Sequence, residues 1–154
     1  MKNVLRHYPR YSVQFLYPWD IRQIVRLERM VFLEPMLLAR VVRKYLSLRT
    51  RFLVVKDGPL VIAYFGYEVL GAYAHVLANV THPSYRRQGL AQFVLTHAEP
   101  SAAKMGAKAF IGEVRLSNYP QLEVLKTIGW TQVGVIDPFF ANGEGAHIVM
   151  KVFQ

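Results

Sequence analysis

The sequence contains no cysteine. This excludes a disulfide framework, a thiolate metal site and a cysteine nucleophile. Long apolar runs are missing as well, because charged and turn residues interrupt every stretch before it reaches the roughly 18 residues that a membrane-spanning helix needs. We therefore expect no membrane span and a cytoplasmic location.

Acidic residues are scarce, since 10 Asp and Glu stand against 19 Lys and Arg, for a net charge of +9. A chain this basic attracts polyanions such as nucleic acid, acidic peptides or a phosphorylated cofactor. However, no block of like charges appears, and the aromatic residues alternate with aliphatic ones as in a core, not with basic ones as on a base-stacking platform. The pattern favours a basic surface that suits an anionic cofactor over nucleic-acid binding as the main role.

With 154 residues and 53% hydrophobic content, the chain is expected to form a single domain, 1–154, around a proper core. Alternating apolar residues predict seven strands, at 13–16, 52–55, 60–67, 72–81, 109–114, 130–136 and 147–153. Helical spacing predicts helices after Asp20, at 37–48, after Gly89 and at 118–128. Strands interleaved with helices in this order predict an α/β fold with one central sheet.

Three residues predict where helices begin or change course. Asp20 can cap the first helix, with Gln23 three residues later completing a capping-box-like pair. Pro100 lies inside the helical pattern that follows Gly89 and is expected to kink or shorten that helix.

The stretch Thr81-His-Pro-Ser-Tyr-Arg-Arg-Gln-Gly-Leu-Ala91 has the layout of a site for a phosphorylated ligand: a strand, a basic glycine turn and a helix start. The first N–H groups of a helix lack intrahelical partners and carry the positive end of its dipole. Gly89 permits close approach of the main chain, and two arginines add positive charge. The spacing is neither that of a nucleotide P-loop nor that of a Rossmann fingerprint. It predicts a different phosphorylated ligand.

Six segments carry a resemblance to a known family. They are Asp20-Ile-x-x-Ile-x-x-Leu-Glu28, Val31-Phe-Leu-Glu-Pro35, His75 to Val80, His82-Pro-x-Tyr-Arg-Arg-x-Gly89, Glu113-Val-Arg-x-Ser-Asn118 and Ile128-Gly-Trp130. With this order of elements, the chain resembles the GNAT-fold N-acetyltransferases over nearly its whole length, above all those that acetylate protein N-termini. The resemblance implies a central, mixed, twisted sheet flanked by helices, with two strands splayed at the cofactor site.

Acetyl-CoA is the cofactor that this resemblance implies. Its pantetheine arm would pair with the backbone of Asn79, Val80 and Thr81. Its pyrophosphate would be held by the N–H groups of Arg86, Arg87, Gln88, Gly89, Leu90 and Ala91. Asn118 would steady the cofactor from the next helix, although it can also be a plain helix N-cap.

The resemblance also implies catalytic residues. Glu113 aligns with a proposed general base, although it can equally form an ion pair with Arg115 or with another of the many arginines. His75 aligns with a histidine that positions or deprotonates the amine; an ordinary histidine titrates near about pH 6.5, which suits a proton relay. It can also be a satisfied core or edge residue. A backbone N–H near Val80 is the expected oxyanion donor.

One position departs from the family pattern. Where relatives have a tyrosine that protonates the departing thiolate beside the cofactor, this sequence has Leu125. A thiol with a pKa of about 8.5 can leave as a thiolate near neutral pH without being protonated. The missing acid should therefore slow acetyl transfer without abolishing it. Tyr119 lies near the first turn of the same helix and is at best a weak substitute.

The acceptor side is expected to involve Phe32 and Glu34 at the peptide entrance, with Glu34 binding the α-ammonium, acting through water or lying exposed. Phe139 and Phe140 match aromatic residues that line the peptide groove in relatives, although they can equally well pack under their loop. Residues 142–145 are expected to form a mobile lip. The predicted activity is acetyl transfer to a protein or peptide N-terminal amine, with no metal. The alternatives are a small-molecule or lysine acetyltransferase and a degenerate acyl-CoA-binding module. The basic surface also suggests docking to the ribosome or other RNA.

Overall fold

The computed structural model describes residues 10–32 and 46–154. The strands are β1 (Tyr11–Phe15), β2 (Thr50–Asp57), β3 (Leu60–Leu70), β4 (Tyr73–Thr81), β5 (Ala109–Arg115), β6 (Thr131–Ile136) and β7 (Ala146–Val152). The helices are α1 (Ile21–Val31), α2 (Leu90–Lys104) and α3 (Tyr119–Thr127), and short 3-10 turns cover Pro18–Asp20 and Pro83–Tyr85. The seven predicted strands are confirmed to within a few residues.

The strands form a mixed sheet in the order β1-β2-β3-β4-β5-β7-β6, in which β4 and β5 run parallel. The fold divides into two compact units. The first contains residues up to Glu68 together with Leu77–Ser101, and the second contains Val69–Val76 and Ala102–Gln154. β3, β4 and α2 each contribute residues to both units.

The core of the first unit is built between α1 and the β2–β3 hairpin. Ile24 and Leu27 are almost fully buried on one face of α1, and they belong to the same apolar cluster as Phe52, Val54 and Tyr64 of the hairpin. The opposite face of α1 is basic and exposed, with Arg22, Arg26 and Arg29. An apolar face and a charged face at helical spacing are what fix this helix against the sheet.

The start of α1 differs from the expected capping box. The Asp20 side chain makes no cap hydrogen bond to α1. It accepts a hydrogen bond from the backbone N–H of Tyr17 at 3.0 Å and lies 2.7 Å from the Lys56 Nζ in a buried ion pair. Gln23 instead bridges the β2–β3 turn, accepting from the Val61 N–H and donating to the Pro59 carbonyl. Lys56 and the β2–β3 turn, both distant in sequence, therefore take the place of the local capping contacts predicted for Asp20 and Gln23.

Pro100 does not shorten its helix, because α2 continues without interruption to Lys104. Ala98 and Ala102, on either side of the proline, are completely buried. The packing of this face compensates for the one hydrogen bond that a proline lacks. The helix predicted at 37–48 lies almost entirely outside the described residues.

The second unit pairs β5 with β7 along the full length of both strands, and β6 adds to the other edge of β7. α3 begins directly after Asn118, whose side chain accepts a hydrogen bond from the Gln121 N–H at 3.3 Å. Leu122 and Leu125 are the buried residues of this helix. No helix in the described part of the chain combines the length and apolarity needed to cross a membrane.

Gly66 permits the closest packing in the β2–β3 hairpin. It lies opposite Phe52, and a Cβ at this position would overlap the ring of that completely buried phenylalanine, 2.7 Å from one ring carbon and 2.8 Å from another. We expect Gly66→Ala to lower the free energy of unfolding by about 1–3 kcal/mol, because the ring has no room to retreat. Denaturant unfolding measures this loss.

The matched control is Gly134→Ala in β6. A Cβ there meets nothing within 4 Å, and the variant should be as stable as the parent chain or slightly more so. Equal stability of the two variants would contradict the packing account.

Candidate active site

A tight basic turn, residues 85–89, connects β4 to α2 and is called the donor turn below. Arg87 has a φ of 63° and Gly89 a φ of 76°, so both occupy the left-handed region. Glycine adopts this conformation freely, whereas for arginine it costs about 1–2 kcal/mol. Strain of this kind is retained where a particular backbone shape is useful. The Gly89 carbonyl then accepts the first helical hydrogen bond, from Phe93 at 3.0 Å.

The donor turn has the composition of an anion site. Arg86, Arg87 and Gly89 are exposed, Gln88 and Ala91 are half-buried, and Leu90 is buried. Among residues 10–32 and 46–154, no acceptor is hydrogen-bonded to the backbone N–H groups of residues 89–92. Unpaired amides at the positive end of a helix, next to two guanidinium groups, fit a diphosphate. The residues present therefore fit the pyrophosphate of acetyl-CoA.

Two side-chain hydrogen bonds attach the donor turn to the paired strands β1 and β2. The Tyr85 hydroxyl donates to Asp57 Oδ2 at 3.0 Å, and the Tyr11 hydroxyl donates to Gln88 Oε1, also at 3.0 Å. The bond to Asp57 raises the pKa of Tyr85 above its ordinary 10.0, so the phenol remains a donor at neutral pH. Arg10 lies 3.7 Å from Asp57 and donates to the Tyr11 hydroxyl at 3.1 Å. Sequence reasoning missed this network, because it depends on the pairing of two strands.

The strand that precedes the donor turn carries the residues expected to bind the pantetheine arm. Val80 is buried, while Asn79 and Thr81 are half-buried. The parallel ladder between β4 and β5 covers only Tyr73–His75 paired with Ala109–Ile111. Both strands continue past this ladder, β4 to Thr81 and β5 to Arg115.

His75 and Glu113 come together where this ladder ends. His75 pairs with Ile111, and Glu113 lies two residues further along β5, so its side chain is on the same face. His75 Nε2 and Glu113 Oε1 are 2.7 Å apart, and the two side chains are 32% and 19% exposed. A carboxylate accepts a hydrogen bond from the tautomer of His75 that carries its proton on Nε2, and in that tautomer the lone pair of the ring lies on Nδ1. Glu113 thus pairs with His75, and not with Arg115 as the alternative interpretation had it.

Arg115 instead organises the loop between β6 and β7. Its guanidinium lies 4.1 Å from the centre of the Phe140 ring and 3.1 Å from Glu144 Oε1. Glu144 Oε2 accepts from the Ser117 N–H at 3.1 Å, and the Glu144 carbonyl accepts from the N–H groups of Phe139 and Phe140. Residues 142–145, expected to form a mobile lip, are therefore held by the hydrogen bonds and the ion pair of Glu144. Phe139 is 43% exposed and Phe140 half-buried.

The remaining predicted site residues differ in burial and in local role. Asn118 is exposed and serves as the N-cap of α3, the plainer of its two expected roles. Leu125 is only 4% exposed, so its side chain is part of the core of the second unit. Phe32 is 39% exposed directly after α1, and Glu34 lies outside the described residues. In the described ranges, no three His, Asp or Glu side chains cluster in a way that could hold a metal ion.

This arrangement, a strand, a basic turn and a helix followed by a second strand bearing a carboxylate, matches a known family. The profile described as the acetyltransferase (GNAT) family matches residues 14–130. The chain belongs to this family. The family predicted from the resemblance is therefore confirmed.

Comparison with individual proteins agrees with this assignment. The N-alpha-acetyltransferase of Saccharolobus solfataricus is 30% identical over 78 residues, which cover 50% of this chain and 47% of that protein. The chain thus spans about half the length of the curated relatives it matches. Matching of this extent leaves the acceptor of the present chain open.

Solved structures match over more of the chain. A ribosomal-protein alanine N-acetyltransferase from Escherichia coli has a TM-score of 0.76 at 19% identity and covers 92% of this chain and 93% of its own. The PaiA N-acetyltransferase from Thermoplasma acidophilum, solved with coenzyme A, has a TM-score of 0.73 at 15% identity and covers 93% and 99%. These likenesses confirm the predicted α/β GNAT fold.

Glu144 provides a pH test of the β6–β7 loop. Hydrogen bonds from Ser117, followed by the interaction with Arg115, lower the pKa of Glu144 below its ordinary 4.5. A depressed folded pKa contributes stability that is present above the unfolded value and is lost as the pH falls through the folded value. We expect Glu144→Gln to lower the thermal midpoint near neutral pH, and the difference from the parent chain to shrink as the pH falls below 4.5.

Thermal unfolding of both proteins across that pH range measures the effect. The control is Glu123→Gln, which removes an exposed pair with Lys126 at 3.3 Å and should change the midpoint little. A Glu144→Gln deficit that stays constant down to the lowest pH would show that the carboxylate charge does not hold the loop.

Proposed function

We propose that this chain transfers an acetyl group from acetyl-CoA to the α-amine of a protein or peptide N-terminus. The observation that carries the proposal is the contact between His75 and Glu113, 2.7 Å apart and both partly open to solvent, in a member of the acetyltransferase (GNAT) family. A basic donor turn with unpaired amides supports the choice of donor.

The first task of the site is to remove a proton from the incoming ammonium group. His75 supplies a ring nitrogen as the proton acceptor, and Glu113 fixes the tautomer and stabilises the imidazolium that forms. The amine nitrogen then forms a bond to the acetyl carbon while the carbon–sulfur bond breaks. The proton taken from the ammonium passes from His75 to solvent before the attack, so the second proton that the nitrogen loses goes to the His75–Glu113 pair. The electron pair of the carbon–sulfur bond leaves with the sulfur as a thiolate. No covalent enzyme intermediate is required, in keeping with the absence of cysteine.

The donor is proposed to lie along the end of β4 and across the donor turn. When bound, acetyl-CoA supplies an activated thioester carbonyl. The backbone groups of Asn79, Val80 and Thr81 would pair with its amide-containing arm as a strand pairs with a sheet edge. The shortness of the β4–β5 ladder supports this, because the ladder ends at His75 while β4 continues to Thr81. A backbone N–H near Val80 would stabilise the developing negative charge on the carbonyl oxygen.

Leu125 bears on how the sulfur leaves. Its side chain is a buried aliphatic group, and an aliphatic group has no proton to donate to the sulfur. A thiol with an ordinary pKa of about 8.5 is a sufficient leaving group without an acid, at the cost of a slower reaction. The same residue is what favours the second candidate, an acyl-CoA-binding module without turnover.

The preference for an α-amine has two supports. An α-ammonium has an ordinary pKa near about 7.7–8.0 and a lysine ammonium near about 10.4, so a histidine and a carboxylate deprotonate the former more readily. In addition, the curated relatives are named N-alpha-acetyltransferase.

Phe139, on the β6–β7 loop, offers an exposed aromatic surface for the first residues of a peptide. Docking to the ribosome or RNA through the basic surface remains a separate prediction.

The test measures thiol release from acetyl-CoA with a panel of short peptides that have free N-termini. We expect turnover with the parent chain and a decrease in kcat of about 10²- to 10⁴-fold for Glu113→Gln, which keeps the size of the side chain but removes its charge. His75→Gln should fall in the same range, because the two side chains act as a unit.

Glu123→Gln is the matched control, since it removes an exposed carboxylate on α3 that pairs with Lys126, and it should retain full activity. If the parent chain binds coenzyme A but acetylates no peptide, the binding-module alternative is supported. Undiminished turnover of Glu113→Gln would refute the role given to the His75–Glu113 pair.

A further inference from the structure

The donor turn is held at both ends by one pair of residues. Tyr11 and Asp57 lie directly opposite each other in the β1–β2 ladder. Asp57 accepts from the hydroxyl of Tyr85, the first residue of the turn, and Tyr11 donates to Gln88, three residues later. Cross-strand partners lie about 4.5–5.5 Å apart, so the two anchors are fixed relative to each other by the sheet.

The segment between these anchors is the part of the turn that carries the charge and the strain. Arg86 and Arg87 are exposed, and Arg87 has a positive φ. Without the hydrogen bonds at Tyr85 and Gln88, a strained backbone of this kind would adopt several other conformations. Two hydrogen bonds to the paired strands β1 and β2 reduce the number of conformations open to it, which is the meaning of preorganisation for a ligand that binds through backbone N–H groups.

The charge of Asp57 has to be offset for such an anchor to work beside an anion. Arg10 does this, since its guanidinium lies 3.7 Å from the Asp57 carboxylate and also donates to the Tyr11 hydroxyl at 3.1 Å. The rings add to the contact: Tyr11 and Tyr85 meet edge to face at 6.3 Å, and Tyr85 meets His82 in the same way at 5.5 Å. The turn is thus attached by hydrogen bonds and by ring packing.

We propose that the Tyr11–Asp57 cross-strand pair is a positioning element that sets the affinity for the diphosphate-containing donor, by holding Tyr85 and Gln88 and with them the backbone N–H groups between. None of the four side chains takes part in the chemical step. This inference rests on the proposed function, because it assumes that the donor turn binds a coenzyme A diphosphate.

The first test uses Tyr85→Phe and Tyr11→Phe, which keep the rings and remove only the hydroxyls. We expect each to raise the Kd for coenzyme A, measured by isothermal titration calorimetry, and the KM for acetyl-CoA by about 2- to 10-fold, with kcat unchanged. Tyr73→Phe is the control; Tyr73 is an exposed tyrosine at the start of β4, and its variant should match the parent chain.

Rescue by a conservative change separates positioning from general destabilisation. Asp57→Asn keeps an oxygen that accepts from Tyr85 and should retain most of the affinity for coenzyme A. Asp57→Ala removes that acceptor and should raise the Kd for coenzyme A by about 2- to 10-fold, which corresponds to the loss of one hydrogen bond. Equal thermal midpoints of the Tyr→Phe variants and the parent chain would show that the loss lies in binding.

The outcomes distinguish this inference from the proposed function. Parent-like Kd values for both Tyr→Phe variants overturn the positioning role and leave the acetyltransferase proposal intact. Coenzyme A binding that weakens as expected, in a chain that acetylates nothing, supports the positioning role and overturns the acetyltransferase proposal. Failure of the parent chain to bind coenzyme A overturns both.

Discussion

The short parallel ladder between β4 and β5 is the constraint on which the rest of this structure depends. Three residue pairs, from Tyr73–Ala109 to His75–Ile111, are enough to put β4 and β5 in register. That register places His75 and Glu113 on one face of the sheet, within hydrogen-bonding distance of each other. Because the ladder stops at this point, the polar pair lies at its end and keeps access to solvent. A ladder one residue out of register would turn one of the two side chains to the opposite face.

The surplus of positive charge is distributed among separate tasks instead of forming one patch. Arg86 and Arg87 give the donor turn its charge, Arg115 ties the β6–β7 loop through Glu144 and Phe140, and Arg10 neutralises Asp57. Basic residues are nearly twice as many as acidic ones. Within residues 10–32 and 46–154, no carboxylate pairs with Arg86 or Arg87, so none there competes with a phosphorylated ligand for these two arginines.

Much of the fold could be predicted from local patterns, because apolar periodicity and turn residues determine where strands and helices form. The errors occur where a distant partner replaces a local one. Asp20 has the sequence of a helix cap, but Lys56 of β2 lies against its carboxylate. Gln23 likewise bonds to Pro59 and Val61 at the β2–β3 turn. Pattern alone places His75 and Glu113 on strands, and the resemblance adds that the two strands splay apart at the cofactor site. Their contact follows from the register, which neither the pattern nor the resemblance predicts. The anchors of the donor turn gave no signal in the sequence, since Tyr11 and Gln88 are 77 residues apart.

The central claim is that the chain acetylates an N-terminal α-amine with acetyl-CoA. The most direct measurement is tandem mass spectrometry of a peptide that carries one free α-amine and one internal lysine, after incubation with the parent chain and acetyl-CoA. The account predicts an acetyl group on the α-amine, with the lysine unmodified. An acetyl group found only on the lysine, or on neither amine, would contradict it.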